Sequence, residues 1–379
     1  MRLPFVAILS DTMKLIEIRK IEEILLVDKP LLTHKVNGSV AGDDGSLLVN
    51  VELRLKNEKN FEEKFEVVAK LLAPSINGLR MESFKNELAF YTKIVPLLEG
   101  LLKTWGAEPT ESFPNYYGGR LTLNPKIKET DRDAVFFLEN LKTSGFQAVK
   151  PHIGFNFETT KLILRELAKF HASFLAVKLR KPESFKHEVR PYVNTVNDPE
   201  ISVDDVKQIV SLMWENEGCV SLIPRVRRAM SCRRSTPREP FATIIHGDFW
   251  TSNIMVKLEG DKPEKMKIVD FQKFTYDSPA ADLVYFLFTS LETPVLEDNF
   301  DELTDYYYKN LISALENFEC DVATFSLGEL LKEINIEAKN VQFPRIMMKL
   351  NTIFDSNHTE ERKERGWFIV QEFAKRNWI

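Results

Sequence analysis

The chain has 379 residues, 44% of them hydrophobic, and a formal net charge of −5 at pH 7. A chain of this length usually builds more than one core, so we predict two lobes, residues 1–140 and residues 141–379. The negative net charge gives no electrostatic reason to expect binding to nucleic acid or to an anionic membrane surface. The few cysteines lack metal-ligand spacing, and no apolar run reaches the roughly 18 residues that a membrane-spanning helix needs. The sequence therefore predicts a soluble, cytoplasmic protein.

The amino-terminal region is predicted to hold a helix and a glycine-containing turn. An apolar run at residues 3–9 follows Arg2, but no small-residue cleavage site follows it, so a signal peptide is not expected. Apolar residues recur at helical spacing over residues 13–27. Residues 38–46 predict a turn between two strands. Such a turn either covers phosphate groups, with Ser46 as a contact, or is a plain hairpin turn.

A single lysine interrupts an apolar strand pattern at residues 66–72. Burying Lys70 without a partner would be costly, so its side chain must reach an edge or find a carboxylate. The helical pattern of residues 83–91 places Glu87 beside the apolar stripe, from which it could point inward to Lys70. Glu82 is the other candidate partner, and an ordinary solvated acid is the third possibility. The strand resembles the Val-Ala-Ile-Lys strand of protein kinases.

The rest of the chain is predicted to pass from strands to helices. Residues 116–123 and 134–138 have strand patterns, and the second runs into the polar segment that contains Glu139 and Leu141. A long amphipathic pattern carries His171 on its apolar side. We interpret His171 as a core histidine rather than a catalytic one, since the sequence shows no carboxylate partner nearby. Helices are predicted over residues 158–179, 204–230, 283–290, 300–317, 327–338, 346–354 and 359–377.

The most informative stretch is Ile-Ile-His-Gly-Asp-Phe-Trp-Thr-Ser-Asn-Ile-Met at residues 244–255, followed by Lys-Ile-Val-Asp-Phe-Gln at residues 267–272. Two strand-like segments, residues 254–257 and 266–269, flank turn-forming residues, which predicts a hairpin. Folding of this hairpin would bring Asp248, Asn253 and Asp270 to one end.

Two carboxylates and an amide at one point suit phosphoryl transfer. Asn253 and Asp270 offer hard oxygen ligands for Mg²⁺, while Asp248 can orient an attacking hydroxyl and accept its proton. The spacing is the layout of the protein-kinase catalytic and metal loops, with His-Gly-Asp in place of His-Arg-Asp and Asp-Phe-Gln in place of Asp-Phe-Gly. The alternative interpretation is a pair of buried strands with surface-loop acids.

With the flanking Tyr-Asp-Ser-Pro-Ala-Ala-Asp-Leu at residues 276–283 and Tyr-Phe-Leu-Phe-Thr-Ser at residues 285–290, these motifs resemble the CHK-kinase-like family. That group holds the insect ecdysteroid 22-kinases and juvenile-hormone-inducible proteins, within the choline and aminoglycoside kinase branch of the protein-kinase-like fold. The likeness extends from about Gly42 to about Leu350. It implies an α+β fold of two lobes: a small nucleotide-binding lobe with an antiparallel sheet, and a larger, mostly helical catalytic lobe.

The resemblance also implies ATP and Mg²⁺ as cosubstrate and cofactor. Lys70, steadied by Glu87, would contact the α- and β-phosphates. Main-chain groups near Glu139 and Leu141 would bind adenine, although this segment is alternatively only a strand end. Asp282 stands at the head of a predicted helix, where an acid can cap backbone amides, and in the family it supports the active-site loops.

The acceptor is predicted to be a largely apolar alcohol. A choline-type site needs an aromatic or acidic cage, and an aminoglycoside site needs many carboxylates, but the carboxyl-terminal helices show no acid cluster. The resemblance narrows the acceptor to ecdysteroid-like sterols or hydroxylated xenobiotics, with choline- or ethanolamine-type amino alcohols as the alternative. A catalytically silent nucleotide- or ligand-binding protein on the same fold is the alternative of another class.

Overall fold

The computed structural model describes residues 17–379 apart from 28, 41–45, 57–60, 73–77, 109, 125, 127, 128, 194–200, 232–235 and 355. The chain forms two compact units. The first holds the residues up to Leu88 together with Pro114–Ser144, and the second holds Ala89–Phe113 together with Gly145–Ile379. The predicted division into functional lobes at residue 140 stays a prediction.

The first unit is built on a five-stranded antiparallel sheet in the order β1-β2-β3-β5-β4. Alternate residues of the strands face one core, as Val49, Val51 and Leu53 on one strand and Val67 and Ala69 on the next illustrate. The helix α1, Gly78–Ala89, follows β3. The strands are β1 Leu31–Val40, β2 Ser46–Lys56, β3 Glu62–Leu72, β4 Tyr116–Arg120 and β5 Val135–Glu139.

The helix predicted over residues 13–27 is wrong for its described part. Residues 17–27 contain only the short 3₁₀ turn Ile21–Glu23. Ile18 and Ile21 are buried in the core of the sheet, and the Leu26 N–H donates to the Tyr117 carbonyl. The helical spacing of the apolar residues therefore reflects a segment that packs along the sheet.

The second unit is mostly helical. Its small sheets are β10-β7 and β6-β8-β9, formed by β6 Gln147–Ala148, β7 Thr243–Ile245, β8 Ile254–Glu259, β9 Lys262–Ile268 and β10 Thr275–Asp277. Its helices are α2 Val95–Thr104, α3 Phe157–Arg180, α4 Pro182–Ser184, α5 Val203–Met213, α6 Glu217–Val220, α7 Ile223–Ala229, α8 Pro279–Ser290, α9 Thr293–Asn317, α10 Leu327–Glu337, α11 Phe343–Ile353 and α12 Thr359–Lys375. Shorter helical turns lie at Phe90–Ile94, Phe185–Val189, Arg190–Tyr192, Thr251–Asn253, Phe271–Lys273 and Ala338–Gln342.

Two helices form the centre of this unit. The Asn156 side chain caps α3 by accepting from the Thr159 N–H at 2.9 Å, and the helix then runs for 24 residues. Every residue of α8 is buried, because this helix is apolar on nearly all sides. The single helix predicted over residues 204–230 is wrong, since α5, α6 and α7 are separate helices joined by turns.

The predicted fold class is confirmed. An antiparallel sheet dominates the amino-terminal part and helices dominate the remainder. Among the described residues, no helix has both the length and the apolar character required to cross a bilayer.

Candidate active site

In the first unit, the predicted ion pair between strand and helix is present. Lys70 on β3 lies opposite Leu48 on one neighbouring strand and Phe136 on the other. Its Nζ lies 2.5 Å from Glu87 Oε2 on α1, and the two side chains are only 5% and 1% exposed. A buried lysine needs such a partner, because an unpaired charge would pay a large desolvation cost. The alternative partner Glu82 instead accepts from Lys85.

The strand end predicted to bind adenine offers fewer groups than the sequence suggested. The Glu139 N–H donates to the Asn115 carbonyl at 2.9 Å, and the Glu139 carboxylate accepts from the Asn115 side chain. The main-chain N–H of Glu139 is therefore already bonded within the protein and does not serve adenine. Leu141, two residues beyond the end of the strand, is buried. Ser46 is buried at the start of β2, opposite Leu72, whereas residues 41–45 of the predicted glycine turn lie outside the described residues.

In the second unit, the predicted β8–β9 hairpin forms and aligns the polar residues at its ends. Ile254 pairs with Ile268, so Asn253 and the segment leading to Asp270 meet at the same end. The Val269 N–H donates to the Asn253 carbonyl at 3.0 Å. Asp270 adopts a left-handed conformation with φ of 68°, and Phe271 beyond it stacks on Phe90 with ring centroids 3.7 Å apart. The turn after β9 is thereby fixed on both sides of Asp270.

The loop that carries Asp248 is tied to the same hairpin. The Asp248 N–H donates to His246 Nδ1 at 3.2 Å, so Nε2 carries the ring proton and donates to the Val269 carbonyl at 3.0 Å. The Asn253 amide nitrogen donates to the Asp248 carbonyl at 2.9 Å. These hydrogen bonds join the loop that carries Asp248 to Val269, the residue before Asp270.

Glycine at position 247 has a steric cause. Gly247 has φ of +79°, and a Cβ built there would lie 2.3 Å from the Lys273 carbonyl oxygen. A side chain at 247 would therefore be strained and would collide with the backbone after Asp270. This explains why His-Gly-Asp, and not His-Arg-Asp, occurs in this chain. Gln272 lies in a short helical turn, so the position after Phe271 does not need glycine.

Asp282 supports the catalytic loop rather than its own helix. Ser278 caps α8 by accepting from the Ala280 N–H, so the predicted capping role of Asp282 is wrong. Its carboxylate accepts from the His246 N–H at 2.7 Å and the Gly247 N–H at 2.9 Å. Burial opposes the charge of Asp282, but its hydrogen-bond partners outweigh burial and hold its pKa below the usual value. Asp282 therefore supports the loop that carries Asp248, as the family resemblance implied.

His171 is a buried core histidine, as predicted, but the reason given for that interpretation is wrong. Its Nε2 lies 3.3 Å from Asp282 Oδ2, and its Nδ1 lies 2.7 Å from the Tyr307 hydroxyl. Burial lowers the pKa of His171, and the contact with Asp282 only partly compensates. The ring therefore stays neutral and holds Asp282 in place from behind the loop.

Among the residues that the structure describes, three cations lie around Asp248, and none of them was predicted from the sequence. Lys273 Nζ lies 3.0 Å from Oδ2, and Lys349 Nζ lies 3.6 Å from Oδ1. Arg345 acts on the same carboxylate electrostatically while donating to the Gly247 carbonyl at 2.6 Å. The Tyr285 hydroxyl, which lies one turn after Asp282 on α8, also reaches Oδ1 at 3.3 Å. The i,i+4 spacing of Arg345 and Lys349 was the available signal, but it also fits an ordinary amphipathic helix.

These charges decide the ionisation of Asp248. Burial would raise the pKa of its carboxyl, but Lys273, Lys349 and Arg345 more than offset that and hold the pKa well below its usual range. The group is therefore an ionised, weakly basic carboxylate at neutral pH. Such a group orients a hydroxyl and takes its proton late in the transfer.

The donor set at the hairpin end fits Mg²⁺. The Asn253 amide nitrogen is occupied by the Asp248 carbonyl, which leaves its oxygen as the group to face a cation. Asp270 adds a half-buried carboxylate. Among the described residues, no three histidine, cysteine or carboxylate side chains form a metal-binding group. The Asn253 and Asp270 side-chain oxygens suit Mg²⁺, which commonly takes one or two protein oxygens together with substrate phosphates and water.

The family comparison covers most of the chain. The sequence profile of the ecdysteroid kinase-like family matches residues 42–320. The match begins where the resemblance was expected to begin, and it ends before α11 rather than near Leu350. No curated protein matches the chain significantly.

Several solved structures resemble the chain at low identity. The GDP and kanamycin complex of APH(2″)-IIIa is 14% identical, covers 92% of this chain and 95% of its own, and has a TM-score of 0.38. The GDP complex of wild-type aminoglycoside 2′-phosphotransferase-IIIa is also 14% identical, covers 92% and 95%, and has a TM-score of 0.43. The amicoumacin kinase hAmiN, in complex with AMP-PNP, Ca²⁺ and Ami, is 13% identical, covers 87% of both chains and has a TM-score of 0.40.

Proposed function

The chain belongs to the ecdysteroid kinase-like family and is a small-molecule phosphotransferase, and we propose that it transfers the γ-phosphoryl group of ATP to a hydroxyl of an uncharged, largely apolar alcohol. Within that class of alcohols, we assign ecdysteroid-like sterols and hydroxylated xenobiotics to this protein as acceptors. The observation that carries the choice of acceptor is the set of cations around Asp248.

Those cations disfavour an ammonium-bearing acceptor. An acceptor hydroxyl must lie within hydrogen-bond distance of Asp248, which is also close to Lys273 and Lys349. In choline and ethanolamine only two carbons separate the ammonium from the hydroxyl, so the ammonium would meet like charges at short range. Such repulsion costs more in a partly desolvated site than in water. The Trp250 and Tyr285 rings beside Asp248 already lie under Lys349 and Arg345, so neither offers an open cage for another cation.

The second unit supplies the groups that act on the acceptor and the metal. Asp248 orients the attacking hydroxyl and accepts its proton. Asn253 and Asp270 hold the Mg²⁺, which neutralises phosphate charge when bound. Asp282 positions the loop through the His246 and Gly247 amides.

The first unit supplies the groups that we assign to the nucleotide. Lys70, held by Glu87, contacts the α- and β-phosphates. Adenine is bound by the Glu139 carbonyl and the Leu141 N–H, because the Glu139 N–H already donates to Asn115. Ser46 stands at the end of the turn that covers the phosphates.

A panel of acceptors tests the proposal. Transfer from labelled ATP is measured as kcat/KM for an ecdysteroid, a plant phenol, a plant glycoside, choline and ethanolamine, with Asp248→Asn as the inactive control. We expect the uncharged acceptors to exceed the amines by at least about tenfold. A clear preference for choline or ethanolamine would refute the apolar acceptor. Tight ATP binding without transfer to any acceptor would support the catalytically silent alternative.

A further inference from the structure

A hydrogen bond from the Thr251 amide ties the short turn that carries Asn253 to the end of α8. The Thr251 N–H donates to Ser290 Oγ at 3.0 Å, and both residues are completely buried. A buried amide without an acceptor would lose its bond with water and gain none in return, so this bond stabilises the turn in its present position. Among the described residues, the Thr251 hydroxyl has no hydrogen-bond partner. Thr251 is therefore held through its backbone rather than through its hydroxyl group.

The hydroxyl hydrogen of Ser290 has a defined direction. Ser290 Oγ and Thr289 Oγ1 lie 3.1 Å apart, and at this distance either hydroxyl is able to donate to the other. Thr289 donates its hydrogen to the Tyr285 carbonyl at 2.6 Å, however, so its oxygen accepts the hydrogen of Ser290. Ser290 therefore accepts from the Thr251 N–H while it donates to Thr289. Each bond of such a chain polarises the next, and the Ser290 hydroxyl cannot rotate without breaking one of them.

The backbone of Ser290 is fixed by the segment that precedes α3. The Phe155 N–H donates to the Ser290 carbonyl at 2.8 Å, and the Phe155 carbonyl accepts from the Glu292 N–H at 3.1 Å. The last carbonyl groups of a helix have no partner within the helix, and Phe155 supplies one for Ser290. Because these bonds hold the end of α8 on both sides of Leu291, the Ser290 hydroxyl meets the Thr251 amide from a fixed position.

The orientation of Asn253 depends on the turn that begins at Thr251. This turn has only three residues, and the Asn253 N–H closes it by donating to the Trp250 carbonyl at 2.9 Å. A displacement of Thr251 therefore also displaces Asn253. The side-chain nitrogen of Asn253 donates to the Asp248 carbonyl, which leaves the side-chain oxygen to face a cation. Mg²⁺ is sensitive to such a displacement, because it requires nearly ideal octahedral geometry.

We propose that Ser290 is a positioning residue for the metal site: its hydroxyl fixes the Thr251 amide and thereby the side-chain oxygen of Asn253. This inference rests on the proposed function, in which Asn253 holds Mg²⁺. Removing a group that orients a metal ligand typically lowers metal affinity by about 10- to 100-fold. Since Ser290 acts on Asn253 through the backbone of the turn, the effect of its removal belongs at the lower end of that range.

The test measures how much Mg²⁺ the protein needs in order to bind a nucleotide tightly. The affinity for AMP-PNP, which cannot transfer its γ-phosphate, is measured by calorimetry without Mg²⁺ and at a series of Mg²⁺ concentrations. Ser173→Ala is the matched control, because Ser173 is a buried serine that donates to the Lys169 carbonyl of its own helix. We expect Ser290→Ala to raise the Mg²⁺ concentration of the half-maximal effect by about tenfold and to change the affinity without Mg²⁺ by less than about twofold. Ser173→Ala should match the wild type.

Two changes at Thr289 test the direction of the hydrogen bonds. Thr289→Val removes the oxygen that accepts from Ser290 and keeps the shape of the side chain, whereas Thr289→Ser keeps that oxygen. We expect Thr289→Val to raise the Mg²⁺ requirement by about twofold, since Ser290 still accepts from the Thr251 N–H but its hydroxyl is no longer fixed. Thr289→Ser should match the wild type. If Ser290→Ala does not fold, equal Mg²⁺ requirements in the two Thr289 variants would overturn the role of Ser290.

The outcomes separate this proposal from the proposed function. An unchanged Mg²⁺ requirement in Ser290→Ala would overturn the positioning role and leave the kinase function intact. An equal loss of AMP-PNP affinity with and without Mg²⁺, together with a lower melting temperature, would show that Ser290 is only structural and would also overturn the proposal. A wild-type protein whose nucleotide affinity does not respond to Mg²⁺ and that transfers no phosphate would refute the kinase function, and with it the role of Ser290.

Discussion

Replacing Gly247 by alanine should inactivate the protein far more than it destabilises it. The left-handed conformation of the residue costs alanine about 1–2 kcal/mol. Its Cβ would also lie 2.3 Å from the Lys273 carbonyl oxygen, so this backbone must move by roughly 0.7 Å to reach even 3.0 Å. Lys273 is bonded to Asp248, and Asp270 lies three residues before it, so the movement reaches both acids. A misplacement of this size in an active site costs about 100-fold in rate.

Gly260 provides the control, because it has φ of +61° and nothing within 4 Å of an added Cβ. Gly260→Ala should therefore carry a similar strain, and lower the melting temperature by a few degrees, without the collision. The assay is kcat/KM for the best acceptor together with thermal unfolding of both variants. We expect Gly247→Ala to lose about 100-fold in kcat/KM and Gly260→Ala less than about threefold. Comparable activities in the two variants would refute the argument that this glycine sets the active-site geometry.

Three further changes test separate parts of the site. Asp248→Asn should abolish turnover but keep most Mg-ATP affinity, whereas Asp270→Ala should weaken Mg-ATP binding; equal losses of binding by titration calorimetry would contradict this division of roles. Lys70→Met and Glu87→Ala should lower kcat/KM by similar factors, and a double mutant much worse than either single would contradict their action as one pair. Burial lowers the pKa of His171, so below about pH 6.5 the unfolded chain binds a proton that the folded protein does not bind. The free energy of unfolding should therefore decrease as the pH is lowered below about 6.5, by up to about 1.4 kcal/mol per pH unit. Urea unfolding of His171→Gln should show a shallower dependence between pH 6.5 and 5.5, and parallel slopes would disprove the linkage.

Local patterns in the sequence were enough to predict the parts of the site that are close in the chain. The hairpin of β8 and β9 follows from two apolar segments around a turn, and its register fixes Asn253 against the segment before Asp270. The pairing of Lys70 with Glu87 follows from the cost of burying a lone lysine between neighbouring elements. In both cases the residues that interact lie within about twenty residues of each other, so only a few arrangements of the chain can satisfy the pairing that they need.

Contacts between distant segments could not be predicted in this way. Arg345 and Lys349 reach the Asp248 loop from a helix about 100 residues later in the chain, and only the packing of α11 brings them there. Asp282 was expected to cap its own helix because its position fits that role locally, yet a serine four residues earlier takes it. The helical spacing of Ile18 and Ile21 was misleading for the same reason, since the sheet core decides their conformation.

The amides of the catalytic loop have a consequence for how nucleotide affinity responds to ionic strength. The N–H groups of His246 and Gly247 donate to Asp282, and that of Asp248 donates to His246. Three successive backbone donors are thus used within the protein, and the loop cannot cradle phosphate as a glycine-rich nest does. Attraction for phosphate in the second unit then depends on side-chain ammonium and guanidinium groups and on the metal. Since Lys273 is 47% exposed, part of that attraction is screened by dissolved ions, and nucleotide binding weakens as salt rises from 0.01 M toward the roughly 0.15 M of physiological solutions.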